Sequence, residues 1–295
     1  MSEFFSAFVE FDFLRHAVLA GVLASVASGI VGTYVVTRRI TVIAGSLAHS
    51  VLGGMGIAYW AHTVHGLTWL QPLHGALVAA VVAALVIGTV RQRGTEREDT
   101  AISALWALGM AVGVLFLAQT PGYKADLMTY LFGNVVLVDA AELKLLLVVD
   151  ALVVGVAVVF YHPLLAICFD EEFARVRGLR VDALYYLLLV LVALTVVTLV
   201  YVVGIVLVIA LLTLPVAIAG RFARKLWHMM AIAAVLSATI TTAGVAVSYA
   251  PDLPVGATTI LLAGIAYLVV TALGLRRRER AEEAKVPRKG TGGAA

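Results

Sequence analysis

The chain has 295 residues, of which 62% are hydrophobic and 13% are charged, and its formal net charge at pH 7 is +3. Soluble domains carry roughly 25% charged residues, so this composition excludes an ordinary soluble domain and indicates a protein that lies in the lipid bilayer. The single cysteine, Cys168, excludes an internal disulfide framework. The basic residues gather beside hydrophobic runs, which argues against nucleic acid as a partner.

The first thirteen residues contain acidic residues but no Lys or Arg, so they lack the basic region of a cleaved signal peptide. We expect residues 1–13 to form an extracytoplasmic segment and residues 14–275 to form one transmembrane domain. Residues 276–295 are rich in basic and small residues, and we predict a disordered cytoplasmic tail there.

The central domain consists of hydrophobic runs of about the 20 residues that a helix needs to cross a bilayer. The predicted spans are Leu14–Val36, Val42–Ala61, Gly75–Val90, Ala101–Ala118, Leu143–Phe160, Ala183–Val203, Ile205–Gly220, Met229–Tyr249 and Ala257–Leu275. The run at Ile205 is short, and Leu127–Val138 is shorter still, so we interpret the latter as a re-entrant or interfacial segment. The predicted fold is an all-α polytopic membrane protein with eight to nine transmembrane helices.

Most of the 21 basic residues lie in alternate loops and in the C-terminal tail, and only Arg15, Lys124 and Lys144 lie elsewhere. Loops rich in Lys and Arg face the cytoplasm. This distribution predicts an N-terminus outside the cell and a C-terminus inside it.

An ionisable residue, His49, lies inside the second hydrophobic run. With Thr41 at the membrane edge, a rise of ~1.5 Å per residue places His49 about 12 Å deep in a core about 30 Å thick. Gly45, Gly53 and Gly56 share its helix face, which therefore carries almost no side chain besides the imidazole. The histidine either holds two helices together by a hydrogen bond or belongs to a metal or proton pathway.

Other polar residues are weaker candidates for such a pathway. Asp150 falls near the middle of its span and would suit a divalent cation or a proton relay if it faced His49. A shifted span would instead place Asp150 nearer the membrane edge. Three histidines lie in an outer loop: His62, His65 and His74. They could attract a divalent cation, although solvated loop histidines are the more ordinary interpretation, and Asp99 at the start of the fourth run is a further candidate.

The cytoplasmic segment FDEEFARVRGL, residues 169–179, predicts a short amphipathic helix outside the membrane. Its acidic residues come first and its arginines last, which matches the helix dipole, and Gly178 is a natural C-terminal stop. Phe169, Phe173 and Val176 fall along one side. Such a helix either lies at the membrane interface or docks onto a cytoplasmic partner.

Two catalytic motifs are absent from the sequence. No Lys follows a Gly, so there is no G-x-x-x-x-G-K-[ST] phosphate loop, and no His precedes a Glu, so there is no H-E-x-x-H motif. The chain therefore cannot hydrolyse ATP through such a loop by itself, and an intramembrane enzyme is disfavoured. A secondary carrier would be expected to show inverted repeats, and no convincing repeat is evident.

Six segments, taken in order, resemble the membrane permeases of zinc and manganese ABC importers over about Phe13–Leu275. They are VGTYVVTRRI followed by the helix of His49, EDTAISALWALGMAVG, DLMTYLFGN, FDEEFARVRGL, VGIVLVIALLTLPVAIA and SYAPDLPVGATTI. The resemblance implies a multi-pass protein of the inner or cytoplasmic membrane that works with separate ATPase subunits and an extracytoplasmic metal-binding protein. It also implies a pair of permeases, expected to be a homodimer, and no permanently bound cofactor.

The resemblance also implies roles for residues. His49 matches the metal-contacting histidine, and FDEEFARVRGL matches the coupling helix that docks into the ATPase. The residues assigned to this coupling element are Asp170, Glu171, Glu172, Phe173, Arg175 and Gly178. Two symmetry-related copies of His49 are expected to meet at the dimer axis, each helix approaching along its glycine face.

The sequence departs from the family at Gly45, where many members carry an Asp. Carboxylate ligands suit manganese and imidazole suits zinc, so we expect zinc as the transported ion. A manganese or iron permease of the same family, or a permease for a metal chelate such as a siderophore, remains the alternative.

Overall fold

The computed structural model describes residues 8, 10–94, 97–121, 138, 140–251 and 253–283, with side chains as far as residue 274. Within these ranges the regular secondary structure is α-helical and no strand occurs. The helices are α1 (Asp12–Thr37), α2 (Thr41–Val64), α3 (Pro72–Arg93), α4 (Glu98–Ala118), α5 (Ala140–Val159), α6 (Tyr161–Phe169), α7 (Glu171–Val176), α8 (Val181–Val203), α9 (Ile205–Ala219), α10 (Leu226–Tyr249) and α11 (Val255–Glu283).

In this part of the chain, seven helices are long and apolar enough to cross a membrane, and the bent pair α5–α6 raises the number to eight. The shorter apolar helix α9 has 15 residues. The prediction of an all-α multi-pass membrane protein is therefore confirmed. The segment predicted as re-entrant at 127–138 lies outside the described residues except for Val138.

A proline ends the fifth span earlier than its apolar run would allow. Pro163 lies four residues after Val159, so its ring would clash with that carbonyl group and it has no N–H to donate to it. The chain accordingly leaves α5 at Val159 and re-enters a helix at Tyr161, with a bend of 73°. The bend carries the chain towards α7.

The helices pack as two groups around a common core. Helix α2 packs mainly against α3 and α4, and α1 packs against α5, α9 and α10, while α8 contacts members of both groups. Helix α2 is the most enclosed of the spanning helices, whereas α4 turns most of its surface outward. The helix that carries His49 thus lies at the centre of its group.

The ends of the chain continue the helical pattern. Helix α1 begins at Asp12, within the segment predicted as extracytoplasmic, and α11 continues to Glu283. The boundary predicted at residue 275 therefore does not coincide with the end of a helix, and residues 284–295 lie outside the described part.

Candidate functional site

His49 is buried on α2, with 8% of its surface exposed. Its imidazole stacks on the indole of Trp106 in α4, with ring centroids 4.4 Å apart and an angle of 21° between the planes. Among the described residues, the buried Nδ1 atom has no hydrogen-bond partner. The imidazole therefore meets α4 through its ring face, and Nδ1 retains a lone pair or a proton for another group.

The glycines beside His49 bring α2 against α4 of the same chain. A Cβ added at Gly53 would lie 2.8 Å from the carbonyl oxygen of Gly109, and one at Gly56 would lie 2.7 Å from that of Gly113. Such distances leave no space for a side chain. The expectation that this glycine face meets a second copy is wrong, because α4 already occupies it.

Gly45 faces the same indole ring that covers the imidazole. A Cβ at this position would lie 3.1 Å from Trp106, so an Asp here would require the ring to shift. The indole fills the space in which a carboxylate would otherwise lie. The surroundings of His49 are thus aromatic and aliphatic on this side.

Two serines that precede and follow His49 in the sequence, Ser46 and Ser50, form hydrogen bonds from α2 to α4. The hydroxyl group of Ser46 donates to the carbonyl oxygen of Ile102 at 2.9 Å, and that of Ser50 donates to Ser46 at 2.9 Å and to Leu105 at 3.3 Å. Sequence reasoning did not single out these serines or Trp106. The only signal available was that Ser46 and Ser50 are one helical turn apart and flank the histidine.

Asp150 is buried on α5, with 5% of its surface exposed. Its carboxyl oxygens have no hydrogen-bond partner of good geometry in the described part of the chain, although the backbone of Ala27 in α1 lies beside them. Helix α5 packs against α1 and α8, whereas α2 packs chiefly against α3 and α4. The structure thus does not bring Asp150 together with His49.

The described residues contain no cluster of three or more His, Cys, Asp or Glu side chains that could hold a metal ion. The outer histidines have individual surroundings instead. His74 accepts a hydrogen bond at Nδ1 from the backbone N–H of Gln71 at 3.2 Å and so caps α3. The ring of His65 lies edge-on to Trp60 at 4.6 Å, and the buried Nδ1 of His62 has no partner in this part of the chain.

The short helix α7 forms within the predicted amphipathic segment. Asp170 is its N-cap and accepts a hydrogen bond from the backbone N–H of Phe173 at 2.9 Å. Gly178 adopts a φ of +81°, the left-handed conformation that ends a helix and favours glycine. Local sequence chemistry therefore sets both ends of the helix.

Helix α7 and the last residue of α6 present apolar side chains outward. Phe169 is 71% exposed, Phe173 is 53% exposed and Val176 is 87% exposed. Phe169 is the last residue of α6, whereas Phe173 and Val176 belong to α7. We call these three residues the apolar face of α7. An exposed apolar cluster beside charged residues is typical of a surface that meets a partner.

Glu171 instead contacts the ends of two spanning helices. Its carboxylate accepts a hydrogen bond from Arg91 at 2.6 Å and another from Arg38. Burial raises the pKa of Glu171, but the hydrogen bonds and charges of Arg38 and Arg91 outweigh burial and hold the pKa below its ordinary value. The structure therefore separates Glu171 from its neighbours Asp170 and Glu172, which the sequence placed in one group.

Asp99 lies close to the same charges. Together with Glu98 and Glu171 it lines a cavity of about 370 Å³ at the end of the bundle where α1 and α3 finish. The basic residues of this lining are Arg38, Arg39 and Arg91. We call this part of the molecule the basic end, and the charge distribution predicts that it faces the cytoplasm.

The fold and these sites define a multi-pass helical membrane protein with a buried imidazole between two helices and a short amphipathic helix at its basic end. The model of the ABC 3 transport family matches residues 10–274, and the chain belongs to this family. The resemblance proposed from the sequence is thereby confirmed.

Named relatives and a solved structure extend the comparison over most of the chain. A probable metal transport system membrane protein of Chlamydia muridarum is 42% identical over 86% of each chain. The manganese transport system membrane protein MntC of Halalkalibacterium halodurans is 31% identical over 89% of this chain and 88% of its own. The structure of PsaBC from Streptococcus pneumoniae in complex with Fab matches with a TM-score of 0.81 and 27% identity, covering 91% of this chain and 94% of that chain.

Proposed function

We propose that the chain is the permease subunit of an ABC importer that moves a divalent transition-metal ion across the cytoplasmic membrane. The observation that carries this proposal is the family match along residues 10–274, together with relatives that are named for metal transport and match most of the chain. The ion is the cargo of the protein.

A division of labour between subunits follows from the sequence and from α7. The chain has no phosphate loop, so a separate ATPase has to supply the energy of ATP hydrolysis. The apolar face of α7 is the surface that we assign to docking on this ATPase. Two exposed apolar side chains on this short helix, with Phe169 just before it, can fill a groove of the partner.

His49 is the residue that we assign to contact with the ion. A polar group buried in a membrane helix is costly unless it has a partner or a function. The partnerless Nδ1 atom is suited to the second case, since neutral imidazole is the commonest metal ligand among side chains. The stack on Trp106 holds the ring in one orientation.

Two metals remain as candidates, and different observations favour them. An imidazole without the carboxylate, as at Gly45, favours zinc. The relatives with specific names are called manganese transport proteins. The substrate class that we propose is therefore a divalent first-row transition metal, with zinc and manganese compared side by side.

The proposal also includes an extracytoplasmic metal-binding protein and a second permease. Because α4 covers the glycine face of α2, a second copy has to dock through another surface. The outward face of α4, which carries the exposed residues Leu108 and Leu115, is one surface left for lipid or for this copy.

The experiment that tests the proposal is metal uptake by the complete transporter in proteoliposomes. Wild-type complex should take up zinc or manganese only with ATP present. His49→Ala should lower uptake by about tenfold or more, since changes at the groups that support a metal site typically cost roughly 10–100-fold in affinity or activity, whereas His228→Ala, near the start of α10, should retain the wild-type rate. ATP-dependent uptake of neither metal by the wild-type complex would refute the proposed function.

A further inference from the structure

One carboxylate joins the docking helix to the ends of two spanning helices. Glu171, the first residue of α7, accepts hydrogen bonds from Arg38 at the end of α1 and from Arg91 in the last turn of α3. Arg38 also donates to the carbonyl oxygen of Ile167 in α6. The side chain of Arg38 is 10% exposed and that of Glu171 is 30% exposed, so this ion pair is partly shielded from solvent, unlike a surface pair.

Two series of contacts lead from this carboxylate into the bundle. We call the route through Arg38 the first arm and the route through Arg91 the second arm. The second arm leads to α4. The guanidinium group of Arg91 lies 4.0 Å from the centre of the Tyr185 ring in α8. The hydroxyl group of Tyr185 donates to Glu98 at 3.2 Å, and Glu98 is the first residue of α4. The contacts thus run from α7 through α3 and α8 to the start of α4.

The first arm leads directly to the start of α2. Arg38 is the C-cap of α1, and Arg39 follows with a φ of 60°, a conformation that residues other than glycine rarely adopt. Helix α2 begins at Thr41. Only Arg39 and Ile40 separate Arg38 from the first residue of α2, so a displacement of the Arg38 backbone has to move the start of α2.

The two arms end at equal distances from the stacked rings. His49 follows Thr41, and Trp106 follows Glu98, by roughly two helical turns, which is about 12 Å along each axis. The helices that receive the two arms are therefore the helices that hold the imidazole and the indole. A movement of α7 can reach both rings through rigid helical segments.

We propose that Glu171 is a positioning residue that transmits displacement of the docking helix α7 to the His49–Trp106 pair. This inference rests on the proposed function, since it assumes that an ATPase moves α7. Neighbouring acids do not make these contacts: Asp170 caps its own helix and Glu172 is exposed. A charge-assisted pair with two arginines is directional and strong enough to carry such a movement.

The test compares Glu171→Gln with wild type in proteoliposomes of the complete transporter, and it measures ATP hydrolysis and metal uptake in the same vesicles. The probe is whichever of zinc and manganese the wild type transports. Glu171→Gln should retain the ATPase subunits and hydrolyse ATP, while metal taken up per ATP should fall about five- to tenfold, the lower end of typical couplings between sites. The matched control is Asp182→Asn, a carboxylate of the basic end whose pair with Arg175 is exposed, and its ratio should stay at the wild-type value.

A second variant covers the case in which Glu171→Gln does not assemble. Arg91→Lys keeps the charge but loses the planar group that lies over Tyr185, and it should lower the same ratio. A wild-type ratio in either assembled variant, or failure of both variants to assemble, would overturn the inference and leave a purely structural role. If the wild-type complex itself takes up no metal, the proposed function fails, so the two failures are distinguishable.

Discussion

The seam between α2 and α4 and the basic end hold their helices together by opposite means. In the seam, backbones approach through Gly53 and Gly109, and the ionisable group present, His49, packs by its ring face. At the basic end, the helix ends are connected by long side chains, through the ion pairs of Arg38 and Arg91 with Glu171. Close packing depends on volume and charge pairing depends on ionisation, so the two regions should respond to different perturbations.

The largest expected effect comes from adding volume to the seam. Gly53→Leu places a side chain where the carbonyl oxygen of Gly109 lies 2.8 Å from an added Cβ. The backbone itself would have to move, so we expect destabilisation of about 3 kcal/mol or more, at the upper end of overpacking costs. Thermal unfolding of the purified protein in detergent measures this loss. Gly155→Leu, on α5 with no atom within 4 Å of its added Cβ, is the control and should unfold near the wild-type temperature.

The next effect comes from removing one charge of the basic end. Arg91→Ala leaves Arg38 as the sole partner of Glu171 among the contacts described and removes the group over Tyr185. We expect a smaller destabilisation, about 1–2 kcal/mol, because the pair is only partly buried. High salt should reduce the difference in unfolding temperature between Arg91→Ala and wild type. It should leave the difference between Gly53→Leu and wild type unchanged. Equal salt dependence of the two variants would contradict the contrast.

Low pH should weaken the ion pairs of the basic end, as high salt does. Because the pKa of folded Glu171 lies below the ordinary value of 4.5, its ionised form contributes stability above that value, and this contribution is lost as pH falls through the folded pKa. Arg38 and Arg91 are the groups that face it from α1 and α3. Unfolding temperatures of wild type and Glu171→Gln should therefore differ at pH 7 and converge below pH 4.5. A constant difference across this range would show that another group carries the effect.

The smallest expected effect concerns the cap of α7. Asp170→Ala removes the side chain that accepts the N–H of Phe173, and loss of such a cap costs about 1 kcal/mol. Asp170→Asn can still accept this hydrogen bond and should cost less. Hydrogen exchange of the α7 amides measures the change locally. Wild-type protection in both Asp170→Ala and Asp170→Asn would argue that tertiary contacts alone hold the helix.

The sequence predicted what depends on neighbours along the chain. Helix positions follow from long apolar runs, and the ends of α7 follow from Asp170 and Gly178. The fifth span was predicted to end at Phe160, but the bend between α5 and α6 at this point was not predicted. Its cause nevertheless lies in local chemistry.

Contacts between segments that are distant along the chain could not be predicted from the sequence. Glu171 is 133 positions from Arg38 and 80 positions from Arg91, and nothing in the charge pattern distinguishes it from Glu172. Likewise, the glycine spacing around His49 indicates close approach of a helix but not which helix approaches. The partner is α4 of the same chain rather than a second copy.

The measurement that most directly tests the central claim, that His49 contacts the transported metal, is the ratio of zinc to manganese uptake by His49→Cys in the complete transporter. Cysteine is smaller than histidine and its thiolate is a soft ligand that selects zinc over manganese. If His49 contacts the ion, the zinc-to-manganese uptake ratio should rise relative to wild type. If both rates fall by the same factor and the ratio is unchanged, His49 is a packing residue and the account is contradicted.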